Sequence, residues 1–459
     1  MKGTPFLLAA ALLLAGCTAA PANPVQTEET AAATPAPAAE EAEETAAAPV
    51  LRELTPCTLD RYYKASAIDD SSQIFLTTID LNDGRQRVAC TKPGCAHTGP
   101  DCWAWLQDST VGRPNKLELY TDGEQLYWVN LTDYGHYDMG TIDPQSSVFV
   151  SGLEGADAPP VEWLAGTPNY GGNFLQDNSY MDSHWFTDGE TLWALINSNP
   201  PDETTGEQTF ATTLIHFEPA PEGSFAPYTA QVVWRQVRDG STGYAGLLDG
   251  QIVVGVQYPG PDTGSMADNY KNSTTELRVL GCDGILGEPL ARFVNGDYKT
   301  QALVDGQWYT MAADSTDLQV TGLHTGESRT LCNLPEAAET FSVTPQFVYG
   351  GRLVVNLSRD AGDVRYVIDT ETGAATTLPT TWAKDGAIPR VPVFYQVAGE
   401  RCLMKVGSQD RMVTDMGQDG GTYTHPSSLS VYAVEDLGAY LDGDQNWTIC
   451  DLLTPNGVF

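Results

Sequence analysis

Cys90, Cys95, His97 and Cys102 lie so close along the chain that only twelve positions separate the first from the last. Three thiols and one imidazole are the donor types of a tetrahedral zinc site, and four protein ligands leave no open position, so such a site would be structural. The spacing, Cys-x4-Cys-x-His-x4-Cys, is not that of a standard knuckle, and His97 follows Cys95 so closely that joint ligation is tight. Two other outcomes stay open for these residues, a disulfide and free thiols. Beyond Cys17 the chain holds eight cysteines, namely Cys57, Cys90, Cys95, Cys102, Cys282, Cys332, Cys402 and Cys450. An even number permits pairing in an exported chain. Pro93-Gly94 favours a tight turn that folds the segment back. The four residues are therefore expected to form one compact unit that seats Trp103 and Trp105. Cys282, Cys332, Cys402 and Cys450 fall on or near strand patterns and are expected in the core or in bridges.

Other chemistry is weakly marked. Asp442, Asp444 and Asn446 alternate as in the first half of a calcium loop. The glycine at the sixth place and the glutamate at the twelfth are replaced by Trp447 and Leu453, so an acidic hairpin turn is expected there and not calcium. The chain has no Gly-x-Ser-x-Gly elbow, no Gly-x4-Gly-Lys phosphate loop and no His-Glu-x2-His. Its six histidines are scattered, and with so many acids a pair of carboxylates carries no information.

The first residues carry an address. Lys2 precedes the apolar run Phe6–Leu14, which ends in Leu14-Ala15-Gly16-Cys17. A positive start, a short apolar stretch and small residues form a secretory signal, and the run is far short of the ~20 residues of a membrane-spanning helix. With its Cys, the segment resembles a bacterial lipobox, which implies that Cys17 is lipidated and becomes the mature N-terminus. Residues 1–16 are thus read as signal peptide. Residues 17–50 are read as the lipidated Cys and a disordered tether of Ala, Pro, Glu and Thr, too poor in apolar side chains to offset its ordering entropy. Residues 51–459 form the globular part. The net charge is −36, and removing Lys2 and the six tether glutamates leaves 23 basic and 54 acidic side chains, a net of −31. So acidic a body does not track a phosphate backbone and does not adhere to anionic lipid by charge. Nucleic acid is excluded as a partner, and the membrane is met through the lipid alone.

The globular part is repetitive. Asp122-Gly123, Asp188-Gly189, Asp249-Gly250, Asp305-Gly306, Gly350-Gly351, Gly399 and Asp442-Gly443 each precede or open an apolar segment. Asp-Gly and Gly-Gly between strands are hairpin signals, because the turn needs positive φ. Successive glycines stand 66, 61, 56, 44 to 45, 48 to 49 and 44 residues apart, and a strand repeat near 50 residues means propeller blades. A second strand, turn, strand unit recurs at Ile79–Cys90, Leu323–Cys332 and Val367–Leu378. The cleanest repeat reads as Gln346–Tyr349, Arg352–Ser358, Arg365–Asp369 and Ala374–Leu378. The expected fold is an all-β propeller of four-stranded antiparallel blades, seven in number with six or eight as alternatives. The N- and C-terminal strands close the ring, with Ile74–Asp80 and Arg85–Cys90 sharing a blade with Leu429–Val434 or Trp447–Leu452.

On the blade pattern, the lipobox and the cysteine segment, the chain resembles bacterial TolB-like and seven-bladed surface-repeat propellers. It resembles more closely the β-propeller lipoproteins of Gram-positive gut anaerobes, a family that brings no activity with it. The strand order puts the tight glycine turns on one face. The long segments Tyr134–Ser146, Gly166–Ser183, Asn199–Phe210 and Pro259–Ser273 go to the other, mostly over blades in the first half of the repeat array, and Cys90–Cys102 fall in the first connection between blades. Long loops on a rigid scaffold carry binding, and these mix aromatics with amides. Tyr134, His136, Tyr137, Tyr170, Asn173, Tyr180 and Tyr270 are the candidate ligand-binding residues. The expectation is a membrane-anchored, extracytoplasmic propeller that binds a protein, peptide or glycan through that face without catalysis. The alternatives are a surface glycan lyase or hydrolase over the channel, or an assembly scaffold. No cofactor is expected beyond a structural zinc.

Overall fold

The computed structural model describes residues 49–67, 74–99, 101–106, 117–130, 147–153, 161–162, 180–198, 209–219, 228–238, 241–378, 390–416 and 422–453. The chain is an all-β, seven-bladed propeller. After the short β1 (Arg52–Glu53), blade 1 holds β2 (Arg61–Ala67), β3 (Ile74–Asp80), β4 (Gln86–Val88) and β5 (Trp105–Leu106). Blade 2 holds β6 (Leu117–Thr121), β7 (Gln125–Asn130), β8 (Ser147–Gly152) and β9 (Val161–Glu162). Blade 3 holds β10 (Tyr180–Thr187), β11 (Leu192–Ser198), β12 (Phe210–Pro219) and β13 (Tyr228–Arg238). Blade 4 holds β14 (Thr242–Leu248), β15 (Gln251–Tyr258), β16 (Thr274–Leu280) and β17 (Leu286–Val294), with helix α1 (Met266–Asn272) in the loop between β15 and β16. Blade 5 holds β18 (Tyr298–Val304), β19 (Gln307–Ala312), β20 (Asp317–Gly322) and β21 (Ser328–Asn333). Blade 6 holds β22 (Thr340–Tyr349), β23 (Arg352–Arg359), β24 (Val364–Asp369) and β25 (Ala375–Leu378). Blade 7 holds β26 (Val393–Ala398), β27 (Arg401–Met416), β28 (Thr422–Asp436) and β29 (Thr448–Ile449), with the short helix α2 (Leu437–Leu441) before β29. Among the described residues no helix is long and apolar enough to cross a membrane.

The packing follows from strand periodicity. Side chains on a strand alternate between the two faces of its sheet, and every blade is covered on both faces by a neighbour. On β11 all seven residues are buried. Leu192, Ala194 and Ile196 face blade 2, where they meet Tyr127 and Val129. Trp193 and Leu195 face blade 4, where they meet Ile252, Val254 and Val256. A strand buried on both faces reads as a continuous apolar run, which is why Leu-Trp-Ala-Leu-Ile, Ile-Val-Val-Gly-Val and Leu-Val-Val-Asn-Leu stand out in the sequence. Seven such clusters fill the seven junctions between neighbouring blades.

The first and last described segments hold the ring from two sides. The N-terminal segment crosses the face of tight turns. Leu51 N–H donates to Gly250 O (2.7 Å), β1 pairs with the channel edge of β10, Thr55 bridges Thr121 and Cys57 bridges Tyr62. Gly250 sits at φ +74° with Asp249 at φ +52°, the backbone of a two-residue hairpin turn. A Cβ at Gly250 would lie 2.4 Å from the Val50 side chain, so glycine there serves both the turn and the close approach of the strap. At the other end, Asp451 forms a parallel bridge with Arg85, and Leu453 N–H donates to the Gln86 side-chain oxygen (3.0 Å). The expected sharing of a blade is not found: β3 and β4 belong to blade 1 and β28 and β29 to blade 7, because blade 7 completes its own four strands, and the ends meet instead through the Arg85–Asp451 bridge. Ile79 and Leu81 pack on Leu403, Tyr432 and Val434 across this seam.

Candidate metal centre

The cysteine segment interrupts a strand. β4 pairs with Thr77–Ile79 of β3, and β5 pairs with Ile74 and Phe75 of the same strand. Between them, Ala89 N–H donates to Leu76 O (2.9 Å) and Leu76 N–H donates to Ala104 O (2.7 Å). The outer strand of blade 1 thus leaves the sheet at Ala89 and returns at Ala104, on one partner residue. Sequence reading placed Cys90–Cys102 in the connection to the next blade. The two-residue β5 is too short to announce itself as the continuation of β4.

Inside this excursion the chain turns back on itself as Pro93-Gly94 predicts. Cys95 N–H donates to Lys92 O (3.2 Å), Cys102 N–H to Gly99 O (2.9 Å) and Trp105 N–H to Cys102 O (3.1 Å). The Lys92 ammonium ties the two arms by donating to Asp101 O (2.6 Å). The Sγ atoms of Cys90, Cys95 and Cys102 and a ring nitrogen of His97 all lie within 4.8 Å of one another. His97 Nδ1 is 3.4 Å from Cys102 Sγ. His97 adopts φ +53°, a left-handed conformation that is uncommon outside glycine and that clusters at ligand sites. Here it turns the imidazole toward the thiols. Cys102 is buried in the cluster of Phe75, Leu76, Ala104 and Trp128, against which Cys90, Cys95 and Trp105 also pack.

The thiols are unlike one another. Burial pushes the Cys102 thiol up to about 12. Burial acts the same way on Cys90, but backbone bonds at Lys92 and Trp103 and the neighbouring thiols outweigh it and hold Cys90 below its ordinary value. The expected compact unit is present, and no disulfide joins any of the eight described cysteines. The donor set fits a structural metal. Three sulfurs and one nitrogen suit zinc, and tetrahedral bonds near 2.3 Å would set neighbouring sulfurs about 3.8 Å apart, a short step from the observed spacing.

The remaining site expectations fare differently. Cys17, Tyr134, His136, Tyr137, Tyr170 and Asn173 lie outside the described residues. Tyr180 begins β10, and Tyr270, on α1, is 45 % exposed. The acids of the last turn are engaged by protein groups. Asp442 pairs with Arg352 (2.5 Å), and Asp444 accepts from the backbone and side chain of Asn446 (3.0 and 2.6 Å).

Sequence reading missed a polar group at the channel. His184 on β10 is 3.1 Å from both Glu53 on β1 and Asp182. Its ring lies 4.1 Å from that of Tyr244 on β14, whose hydroxyl donates to Glu53 (2.9 Å). Burial disfavours the charged imidazole, but the hydrogen bonds and charges of Asp182 and Glu53 prevail and push it up to about 9. With both ring nitrogens held by carboxylates, His184 has no lone pair for base catalysis. It fastens the N-terminal strap to blades 3 and 4. Glu53 and His184 stand 131 residues apart, and no local pattern marks either. Beneath the strap lies a cavity of about 560 Å³ lined in part by Arg52, Glu53, Asp60, Arg61 and Asp122.

No protein-family model matches the chain, and no curated protein matches it. Among solved structures it is similar to the acylaminoacyl peptidase of Pyrococcus horikoshii at 11 % identity and TM-score 0.45, covering 87 % of this chain and 52 % of that one. It is similar to a puromycin hydrolase at 12 % identity and TM-score 0.42, covering 82 % of this chain and 57 % of that one. It is also similar to TolB from Acinetobacter baumannii at 9 % identity and TM-score 0.31, covering 81 % of this chain and 76 % of that one. The chain spans about half the length of the acylaminoacyl peptidase and of the puromycin hydrolase. At these identities the likeness is one of fold, the seven-bladed propeller class. The expectation of a non-enzymatic binder of protein, peptide or glycan is corrected at this point: the structures similar in fold include an acylaminoacyl peptidase and a puromycin hydrolase as well as TolB, so the fold does not set a binder apart from an enzyme, and the expectation is not carried further.

Proposed function

We propose that the chain is an extracytoplasmic propeller, anchored to the bacterial cell membrane by lipid on Cys17, whose first blade is stapled by a structural zinc ion on Cys90, Cys95, His97 and Cys102. The observation that carries the zinc reading is the convergence of four ligand atoms within 4.8 Å of one another. The ion would join both arms of the excursion where the outer strand leaves and rejoins the sheet at Leu76, keeping β4 and β5 in register. Four protein ligands close the shell, so the metal holds structure and activates no water. Because zinc takes thiolates, binding releases the protons that burial otherwise keeps on Cys102.

The test is metal content and its dependence on one ligand. Purified full-length protein is expected to hold one zinc per chain by elemental analysis. Cobalt in its place is expected to show thiolate charge transfer and the intense visible bands of tetrahedral geometry. Cys102→Ser is expected to weaken zinc binding by more than about 100-fold, beyond what an outer-shell change does. Equal zinc content in the wild type and in a variant lacking all four ligands would refute the reading.

A further inference from the structure

We propose that this centre is a redox-released zinc site, in which an oxidant of the hydroperoxide class converts Cys90 and Cys95 into a disulfide and expels the metal. The inference rests on the zinc reading above and adds a modification chemistry to it.

Geometry selects the pair. Cys90 and Cys95 are half-buried, whereas Cys102 is buried. An oxidant arriving from solvent meets the first two. Their sulfurs start within 4.8 Å of each other, so reaching the ~2 Å of a disulfide needs an approach of under about 3 Å. The connecting residues Thr91-Lys92-Pro93-Gly94 have room for it. Gly94 stands at φ +71°, and a Cβ built there would meet nothing within 4 Å. Cys102 has less latitude, since it is buried within the cluster of Phe75, Leu76, Ala104 and Trp128, which Cys90 and Cys95 only border.

The remaining thiols do not compete. Burial pushes Cys282 and Cys332 up to about 11, and Cys402 and Cys450 up to about 12, while Cys57 is raised further. Thiols held protonated in apolar surroundings are poor nucleophiles. Cys90 and Cys95, by contrast, each stand beside a second and a third sulfur at the place that can also hold a metal.

The step balances. The Cys90 thiolate attacks one peroxide oxygen, the O–O bond breaks, and a sulfenic acid and hydroxide result. The Cys95 thiolate attacks the sulfenic sulfur, forming the S–S bond and expelling a second hydroxide. Two protons from solvent complete two waters. Two thiolates have lost two electrons, one peroxide has gained them, and one zinc ion has lost two of its four ligands. Cys102 and His97, 3.4 Å apart, remain as a two-ligand remnant that does not retain zinc.

The experiment uses full-length protein whose zinc content is measured first. Hydrogen peroxide is added stepwise with a chromophoric zinc indicator, and thiols are then alkylated and mapped by mass spectrometry. The expected result is one zinc released per peroxide consumed, loss of two alkylatable thiols, a Cys90–Cys95 disulfide and an alkylated Cys102. Dithiothreitol plus zinc is expected to restore the starting state. Protein that is loaded with zinc but keeps it, with all three thiols intact, in excess peroxide overturns this inference and leaves the zinc reading standing. Zinc release with Cys102 in the disulfide overturns the pairing. Protein that holds no zinc before peroxide is added overturns both.

Discussion

His184 shows how one side chain can fix the course of the chain. Its two nitrogens are claimed by Glu53 and Asp182, each at 3.1 Å, and the pair holds its imidazole charged up to about pH 9. A histidine whose folded value lies above its unfolded value of ~6.5 stabilises fully below that value, and the contribution is lost as pH rises through the folded one. Both carboxylates are well exposed, so solvent screening reduces the latch to about 1 kcal/mol. His184→Gln is therefore expected to lower unfolding free energy by that amount at pH 6 and to converge with wild type near pH 10. Urea melts at three pH values check this, and a constant difference across the range would remove the charge from the account. None of this was legible in the sequence. The cysteine unit was, because its four ligands lie within one short segment and local turn chemistry suffices to gather them.

At the scale of elements, blades are joined by apolar faces and, at one junction, by a buried cation. Arg365 on β24 is 0 % exposed. Its guanidinium donates to Asn356 Oδ1 (2.7 Å), the Tyr440 hydroxyl (2.6 Å) and Pro392 O (2.5 Å), and lies 4.3 Å from the centre of the Phe394 ring. The planar fork thus ties blade 6 to α2 and to the entry of blade 7. Lysine keeps the charge but cannot serve three directions in one plane. Arg365→Lys is expected to destabilise by about 2–4 kcal/mol, at roughly 1.5–3 kcal/mol for each charged hydrogen bond left unmade. Thermal unfolding measures it, and a change below about 0.5 kcal/mol would mean that the junction rests on its apolar contacts alone. The strand pattern around Arg365 was readable. The repeat written as Gln346–Leu378 matches β22–β25, except that β22 starts earlier, at Thr340. Thr340–Pro345 alternates polar and apolar residues, but Pro345 interrupts it as a strand signal, and pairing with β23 draws the segment in.

The whole molecule is a ring in which the first and last described segments lie on different blades, the N-terminal strap against blades 4, 3 and 2 and Asp451 against blade 1. The proposed tether joins the body at this strap. Cys17→Ala is expected to shift the protein from the membrane to the soluble fraction or to leave it unprocessed, by fractionation and intact-mass measurement. A mature variant that stays wholly membrane-bound would sink the anchor.

The sequence alone determined the all-β class, the blade repeat and the compact cysteine unit. Each is written in local signals, as period-two apolar runs, Asp-Gly turns and ligands a few residues apart. Tertiary structure decided that the cysteine unit interrupts an outer strand instead of following it. It also brought Glu53 to His184 by pairing β1 with β10, and it set Arg365 among partners from two blades. These are contacts between residues far apart in the chain, made where the ring brings separate strands within bonding distance, and no local propensity encodes which distant partner a side chain will meet.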